Sequence, residues 1–187
     1  ETTISGGTIS GDQGIRIAAG ELNITGGTIE GTKVSNEKDL IAGGSGGTMG
    51  AIVVGKAGGG YIGDVLVNVE EKATVKNVAT EDGDKAAIIV SDKFMGDASK
   101  GYDALSITVN VNGATVEGDV VKVSNVNPGT TADGGSTTLA LNGATVTGSV
   151  INQTKDGDLD ITGGTVTGSV TNDSAGSVTV SGSSVAG

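Results

Sequence analysis

The 187-residue chain has no cysteine, no histidine and no tryptophan, a single proline, and three aromatic rings: Tyr61, Phe94 and Tyr102. Without cysteine or histidine, zinc, iron–sulfur and thiol chemistry lack their usual ligands. A chain with no disulfide fits the cytosol and bacterial export equally well. Three rings cannot fill an ordinary globular core, which draws much of its buried area from aromatic side chains. The longest wholly apolar run is Ala86-Ala87-Ile88-Ile89-Val90, far short of the roughly 20 residues a membrane-spanning helix needs. Membrane insertion is therefore not expected. Basic residues are scarce too: 11 against 22 acidic ones, a net charge of −11, with Arg16 the sole arginine. Such a surface repels phosphate backbones and anionic lipid, so nucleic acid is not an expected partner.

Glycine is abundant, at 35 residues. It follows no collagen period, and it recurs inside a phrase: apolar–x–Gly–Gly/Ala–Thr–apolar–x–Gly. The phrase begins at Ile4, Ile24, Val111, Leu141 and Ile161, with a weaker copy from Val180 and a degenerate one from Val69 that carries an extra residue. Successive openings lie 20, 45, 42, 30, 20 and 19 residues apart. A unit of about twenty residues with a thin Val/Ile/Leu/Ala stripe cannot bury that stripe alone and must stack on its neighbours.

Three short strand patterns recur in each unit: one such as Leu139-Ala140-Leu141, one such as Thr145-Val146-Thr147, and one such as Val150-Ile151. Each alternates with period two, which points one set of side chains to a common interior. Three parallel strands per coil predict an all-β fold, a parallel β-helix. Its hand should be right, because parallel connections favour that hand and the six-residue pattern of the left-handed form is absent. Six to eight coils are expected in one domain spanning residues 1–187. Insertions should leave between the third strand of one coil and the first of the next, at Gly55–Gly63, Ser91–Ala104 and Ser124–Gly135. Two more, near Thr32–Gly44 and Ala79–Lys85, should leave from a neighbouring corner. Gly46-Gly47-Thr48-Met49-Gly50, 20 residues beyond Gly26-Gly27-Thr28, reads as an additional partial copy.

The stretch from Gly14 to Ile29 resembles repeats of large surface proteins of gut bacteria, some labelled carbohydrate-binding. Gly143–Asn152 resembles passenger domains of bacterial autotransporter adhesins. Both resemblances imply a β-helix displayed outside the cell, and they extend over nearly the whole chain. They carry over no functional residue, because the shared positions are corners and core.

Catalysis by a polysaccharide lyase would need a basic residue near bound calcium, and a hydrolase would need two opposed carboxylates. Arg16 has only Asp12 close in sequence, and no paired acidic column is visible, so an enzyme is not expected. Two acidic turns, with Asp82 and Asp84 in one and Asp156 and Asp158 in the other, offer oxygen ligands of the kind calcium takes; solvated turn residues are the plainer reading. No other cofactor is implied. The Thr8, Thr28, Thr74, Thr115, Thr145, Thr165 and Ser184 column reads as a β-branched stack with hydroxyls bonded between coils, in preference to an ice-ordering face that Glu30, Lys76 and Glu117 would interrupt. Tyr61, Phe94 and Tyr102 all fall in the first group of insertions, where rings can stack on sugar faces or pack the loops to the rod.

The expected function is that of a non-catalytic, secreted or cell-surface adhesin or structural rod presenting loops to polysaccharide, host glycan or protein. The alternatives are a carbohydrate-binding module of a polysaccharide-degrading system and, behind it, a lyase-like enzyme. The chain opens at Glu1 and stops at Gly187 within repeat phrases. It is accordingly read as an excised or processed segment, with end-to-end self-association expected of uncapped coils.

Overall fold

Twenty strands and no helix make up the described part of the computed structural model, which comprises residues 1–35, 49–55, 63–91, 105–123, 136–153, 158–173 and 176–187. The first coil contributes β1 (Thr2–Ile4), β2 (Thr8–Gly11) and β3 (Ile15–Ile17), and the second β4 (Gly20–Ile24), β5 (Gly27–Gly31) and β6 (Ile52–Val54). The third holds β7 (Val65–Glu70), β8 (Ala73–Asn77) and β9 (Ala86–Ser91), and the fourth β10 (Ser106–Asn112), β11 (Thr115–Glu117) and β12 (Asp119–Val123). The fifth holds β13 (Ser136–Asn142), β14 (Thr145–Val146) and β15 (Val150–Gln153), and the sixth β16 (Asp158–Thr162), β17 (Thr165–Val166) and β18 (Val170–Asn172). A seventh ends in β19 (Ser177–Ser181) and β20 (Ser184–Val185).

Every third strand stacks on its equivalent. The first sheet runs β1-β4-β7-β10-β13-β16-β19, the second β2-β5-β8-β11-β14-β17-β20, and the third β3-β6-β9-β12-β15-β18. All pairings between these strands are parallel. The fold is a parallel β-helix, and seven strands spaced about 4.8 Å apart give a rod roughly 30 Å long.

The interior is built from the residues the repeat phrase places there. Ile24, Val69, Val111, Leu141 and Ile161 form one buried column in the first sheet; Ile29, Val75, Val116, Val146 and Val166 form its counterpart in the second. Ile52, Ile88, Val120 and Val150 complete the triangle from the third. Because the pleat alternates with period two, every second residue goes inside whatever its neighbours are. The third sheet also buries apolar residues on its outward side, with Val53, Ile89 and Val121 packed together there.

Corners are glycine because the chain must reverse direction within two residues. Gly7 and Gly27 have φ of 83° and 95° in the first two coils, and Gly113, Gly143 and Gly163 have φ of 72°, 67° and 66° later on. The left-handed residue thus moves from the second to the first position of the pair, as it must where the second is Ala114 or Ala144. Between these two turn types lies the two-residue turn Glu71-Lys72, where the degenerate phrase carries its extra residue.

The long connections leave where the period analysis puts them: β6 to β7, β9 to β10 and β12 to β13 join third strands to first strands, whereas β5 to β6 and β8 to β9 leave from the neighbouring corner. One expectation is corrected. Gly46 to Thr48 lie outside the described residues, but β5 pairs directly with β8, with Thr28 opposite Thr74. The partial copy adds no rung to the second sheet. In the sequence, the position that opens the phrase with an apolar residue is Gly44 here.

Candidate functional site

The residues singled out for ligand binding, Tyr61, Phe94 and Tyr102, lie outside the described residues, as does Asp156. The flanking strands nevertheless fix where their segments leave the rod. All three start from the corner between third and first sheets: Tyr61 between β6 and β7, Phe94 and Tyr102 between β9 and β10.

The acidic turns are far apart. Asp82 and Asp84 are exposed on the connection from β8 to β9 in the third coil, while Asp158 is exposed at the start of β16 in the sixth. The Asp84 carbonyl accepts the Ser35 amide at 2.7 Å, pairing this connection to the one that follows β5. The Asp158 carboxylate accepts the Ser177 hydroxyl. Among the described residues, no three histidine, cysteine, aspartate or glutamate side chains gather as metal ligands.

Among the described residues, two ion pairs dress the second sheet and its corner. Lys33 and Glu81 meet at 2.8 Å, each 47% exposed; Lys76 and Glu30 meet at 3.1 Å. The hydrogen bond from Lys33 holds the Glu81 carboxyl below the usual carboxylate range, and Glu81 raises Lys33 in return. Lys76, and after it Ser10, lower Glu30. Pairs this open to water add little stability; their role is to fix one coil's polar face against the next. Arg16 is exposed on β3.

The threonine column is present: Thr8 pairs with Thr28, Thr28 with Thr74, Thr74 with Thr115, Thr115 with Thr145 and Thr145 with Thr165. Its expected inter-coil hydroxyl bonds do not form among the described residues. Backbone amides bridge the coils there instead, Thr145 to the Ala114 carbonyl at 3.0 Å and Thr165 to Ala144 at 2.9 Å.

Among the described residues, the outer face of the first sheet carries two runs of asparagine side chains bonded from coil to coil. Asn110 donates to Asn68 at 2.9 Å, Asn68 to Asn23 at 2.8 Å, and Asn23 to Glu21 at 2.8 Å. Beside this ladder, Asn142 donates to Asn112 at 3.0 Å and Asn112 to Glu70 at 3.1 Å. The three asparagines of the first ladder lie 45 and 42 residues apart in sequence. They align only once each insertion has been looped out, so sequence reading missed them. At the foot of the second ladder, Thr25, Glu70, Glu71, Lys72, Asn112 and Gly113 line an open cleft of about 480 Å³.

Compared with known proteins, the chain matches no family model, no curated protein and no solved structure.

One functional-looking residue is inside the rod. Lys122 is fully buried on β12 and donates from Nζ to the Asp158 carbonyl at 3.1 Å. Its neighbours in the column are Val90 below, and Asn152 and then Asn172 above. Asn152 donates to Asn172 at 3.0 Å. The interior thus turns polar at Lys122 and Asn152 in one column of the third sheet, which ends on the exposed Asn172. The signal was legible: Lys122 is two residues from Val120, so period two puts both on the same side.

Proposed function

We propose that the chain is a non-catalytic β-helical scaffold acting outside the cell or at a bacterial surface, where it presents its inserted segments to polysaccharide, host-surface glycan or protein. One observation carries this reading. Three long connections, after β6, β9 and β12, leave successive coils at the same corner, so a stiff rod would array them side by side at the coil spacing. Evenly stacked sheets are an economical way to hold variable segments in line, and long loops on a rigid frame commonly carry recognition.

The rings in those segments test the proposal. The Tyr61→Ala/Tyr102→Ala variant should keep the parent's melting temperature within a few degrees, since the repeat phrase has no position for an aromatic ring. Its binding to an immobilised glycan and host-protein panel should weaken at least tenfold relative to the unsubstituted chain. Equal binding by the double variant would remove the rings from recognition. Steady release of unsaturated uronate or reducing ends from polysaccharide, abolished by one substitution, would overturn the non-catalytic reading.

A further inference from the structure

The two asparagine ladders have a direction. A carboxylate accepts hydrogen bonds and cannot donate them, so Glu21 fixes Asn23 with its Nδ2 toward the carboxylate and its Oδ1 free for Asn68. The same polarity then passes from Asn68 to Asn110. Glu70 sets the second ladder likewise, through Asn112 to Asn142. In every completed step the amide oxygen faces the following coil and receives that coil's N–H.

The first ladder stops because its next position is Ala140. Asn110 pairs with Ala140, and Ala140 with Asp160. Asn110 therefore directs its Oδ1 at a coil that has no side chain to answer it. On the far side stands Asp160, two coils from Asn110, or about 9.6 Å along the axis. Thr138 and Asn142 flank Ala140 on β13 itself, each about 6.6 Å away along the strand. Among the described residues no donor reaches Asn110 Oδ1, Asn142 Oδ1 or the Asp160 carboxylate. The gap over the Ala140 methyl is consequently edged by acceptors with spare capacity, the two asparagine amides among them oriented from the distant Glu21 and Glu70.

We propose that this gap is a subsite for one unit of a neutral, hydroxyl-rich glycan lying along the first sheet. Hydroxyl groups that donate to Asn110 and Asp160 would occupy the place of the missing rung, while the apolar face of a pyranose covers the Ala140 methyl. The spread of the acceptors decides against a metal ion. Calcium needs about six to eight oxygens converging at roughly 2.3–2.6 Å, whereas these oxygens edge an area two coils long. Charge decides against uronate chains, because Asp160 and the net charge of −11 repel them. The face is separate from the corner where the insertions leave, so this subsite and the display of those insertions succeed or fail independently.

The test uses the full chain and a panel of neutral hexasaccharides (maltohexaose, cellohexaose, mannohexaose and xylohexaose), with hexagalacturonate and calcium chloride as separate arms. Binding is followed through the Ala140 methyl and the Asn110 and Asn142 side-chain amide NMR signals. At least one neutral chain should shift those signals saturably. Ala140→Asn, which supplies the missing rung and donates to Asn110, should abolish the shift of the Asn110 amide and weaken binding at least tenfold in a chain that still melts cooperatively. Asp160→Ala should weaken it by a similar factor, and Thr145→Asp, on the outer face of the second sheet, should leave it unchanged. The proposal is overturned if no neutral chain moves these signals, if only calcium or the uronate does, or if Ala140→Asn binds as the parent does.

Discussion

Val146→Asp should unfold the middle of the rod. Val146 is fully buried between Val116 and Val166 in the second sheet, and both neighbours are buried as well. A carboxylate at this position would have apolar side chains above and below it, and burying an uncompensated charge is among the few single changes costing more than about 4 kcal/mol. Against a whole-domain stability of about 5–15 kcal/mol, that loss removes most of the folded population. The neighbouring Thr145 is exposed on the other side of the same strand, so Thr145→Asp should cost less than about 1 kcal/mol. Circular dichroism melts of the two variants check the contrast directly. An unshifted melt for Val146→Asp would mean that the side chain is not inside.

The second large effect is expected at a corner. Gly118 has φ of 131°, and a Cβ placed there would lie 2.4 Å from the Lys85 carbonyl oxygen of the coil below. Backbone sits on that side, so the clash cannot be relieved by turning a side chain. Gly118→Ala should therefore cost about 3 kcal/mol or more, combining the unfavourable φ with displacement of the corner. Gly163 provides the comparison: its φ is 66° and nothing lies within 4 Å of an added Cβ. Gly163→Ala should cost only about 1–2 kcal/mol, the ordinary penalty of the left-handed region. Chemical denaturation of both variants measures the difference. Equal losses would show that close approach between coils is not what requires glycine at Gly118.

The same physics explains what was legible in the sequence. A strand places alternate residues inside, and a coil returns to the same place after one turn. The spacing of Ile4, Ile24, Leu141 and Ile161 was therefore enough to predict the stacked columns. The expectation at Gly46-Gly47-Thr48 rested on the glycine and threonine part of the phrase, where Gly44 replaces the apolar residue that opens it. Corners are chosen by backbone freedom and can recur in any glycine-rich segment; a rung needs the apolar residue before them.

Features that depend on neighbours across coils were harder to see. The third-strand pattern draws attention to its apolar residues, and Lys122 goes unremarked there although its parity with Val120 places it in the interior beside Asn152. The ladders through Asn23, Asn68 and Asn110 required the register of three coils separated by insertions of different length. Their polarity depended on which of them ended at a carboxylate. The proposed ligand-binding rings arose from composition and from their place in the insertions: nothing in the coil pattern uses Tyr61, Phe94 or Tyr102, and the described strands fix only where their segments leave the rod.

The central claim is that each long interval between phrases is one coil with a looped-out insertion, so that residues 46 apart stand on adjacent rungs. Thr28 and Thr74 are such a pair, facing outward on β5 and β8. The chain contains no cysteine, so a Thr28→Cys/Thr74→Cys variant carries a single thiol pair. Adjacent parallel strands place the two Cα atoms about 4.8 Å apart, within the range a disulfide spans. Mild oxidation should close this bond in the folded monomer, seen as a faster-migrating non-reduced band and a loss of titratable thiol. If another strand stood between β5 and β8, the separation would be about 9.6 Å, beyond a disulfide's reach, and failure of the pair to close in the folded monomer would contradict the coil assignment.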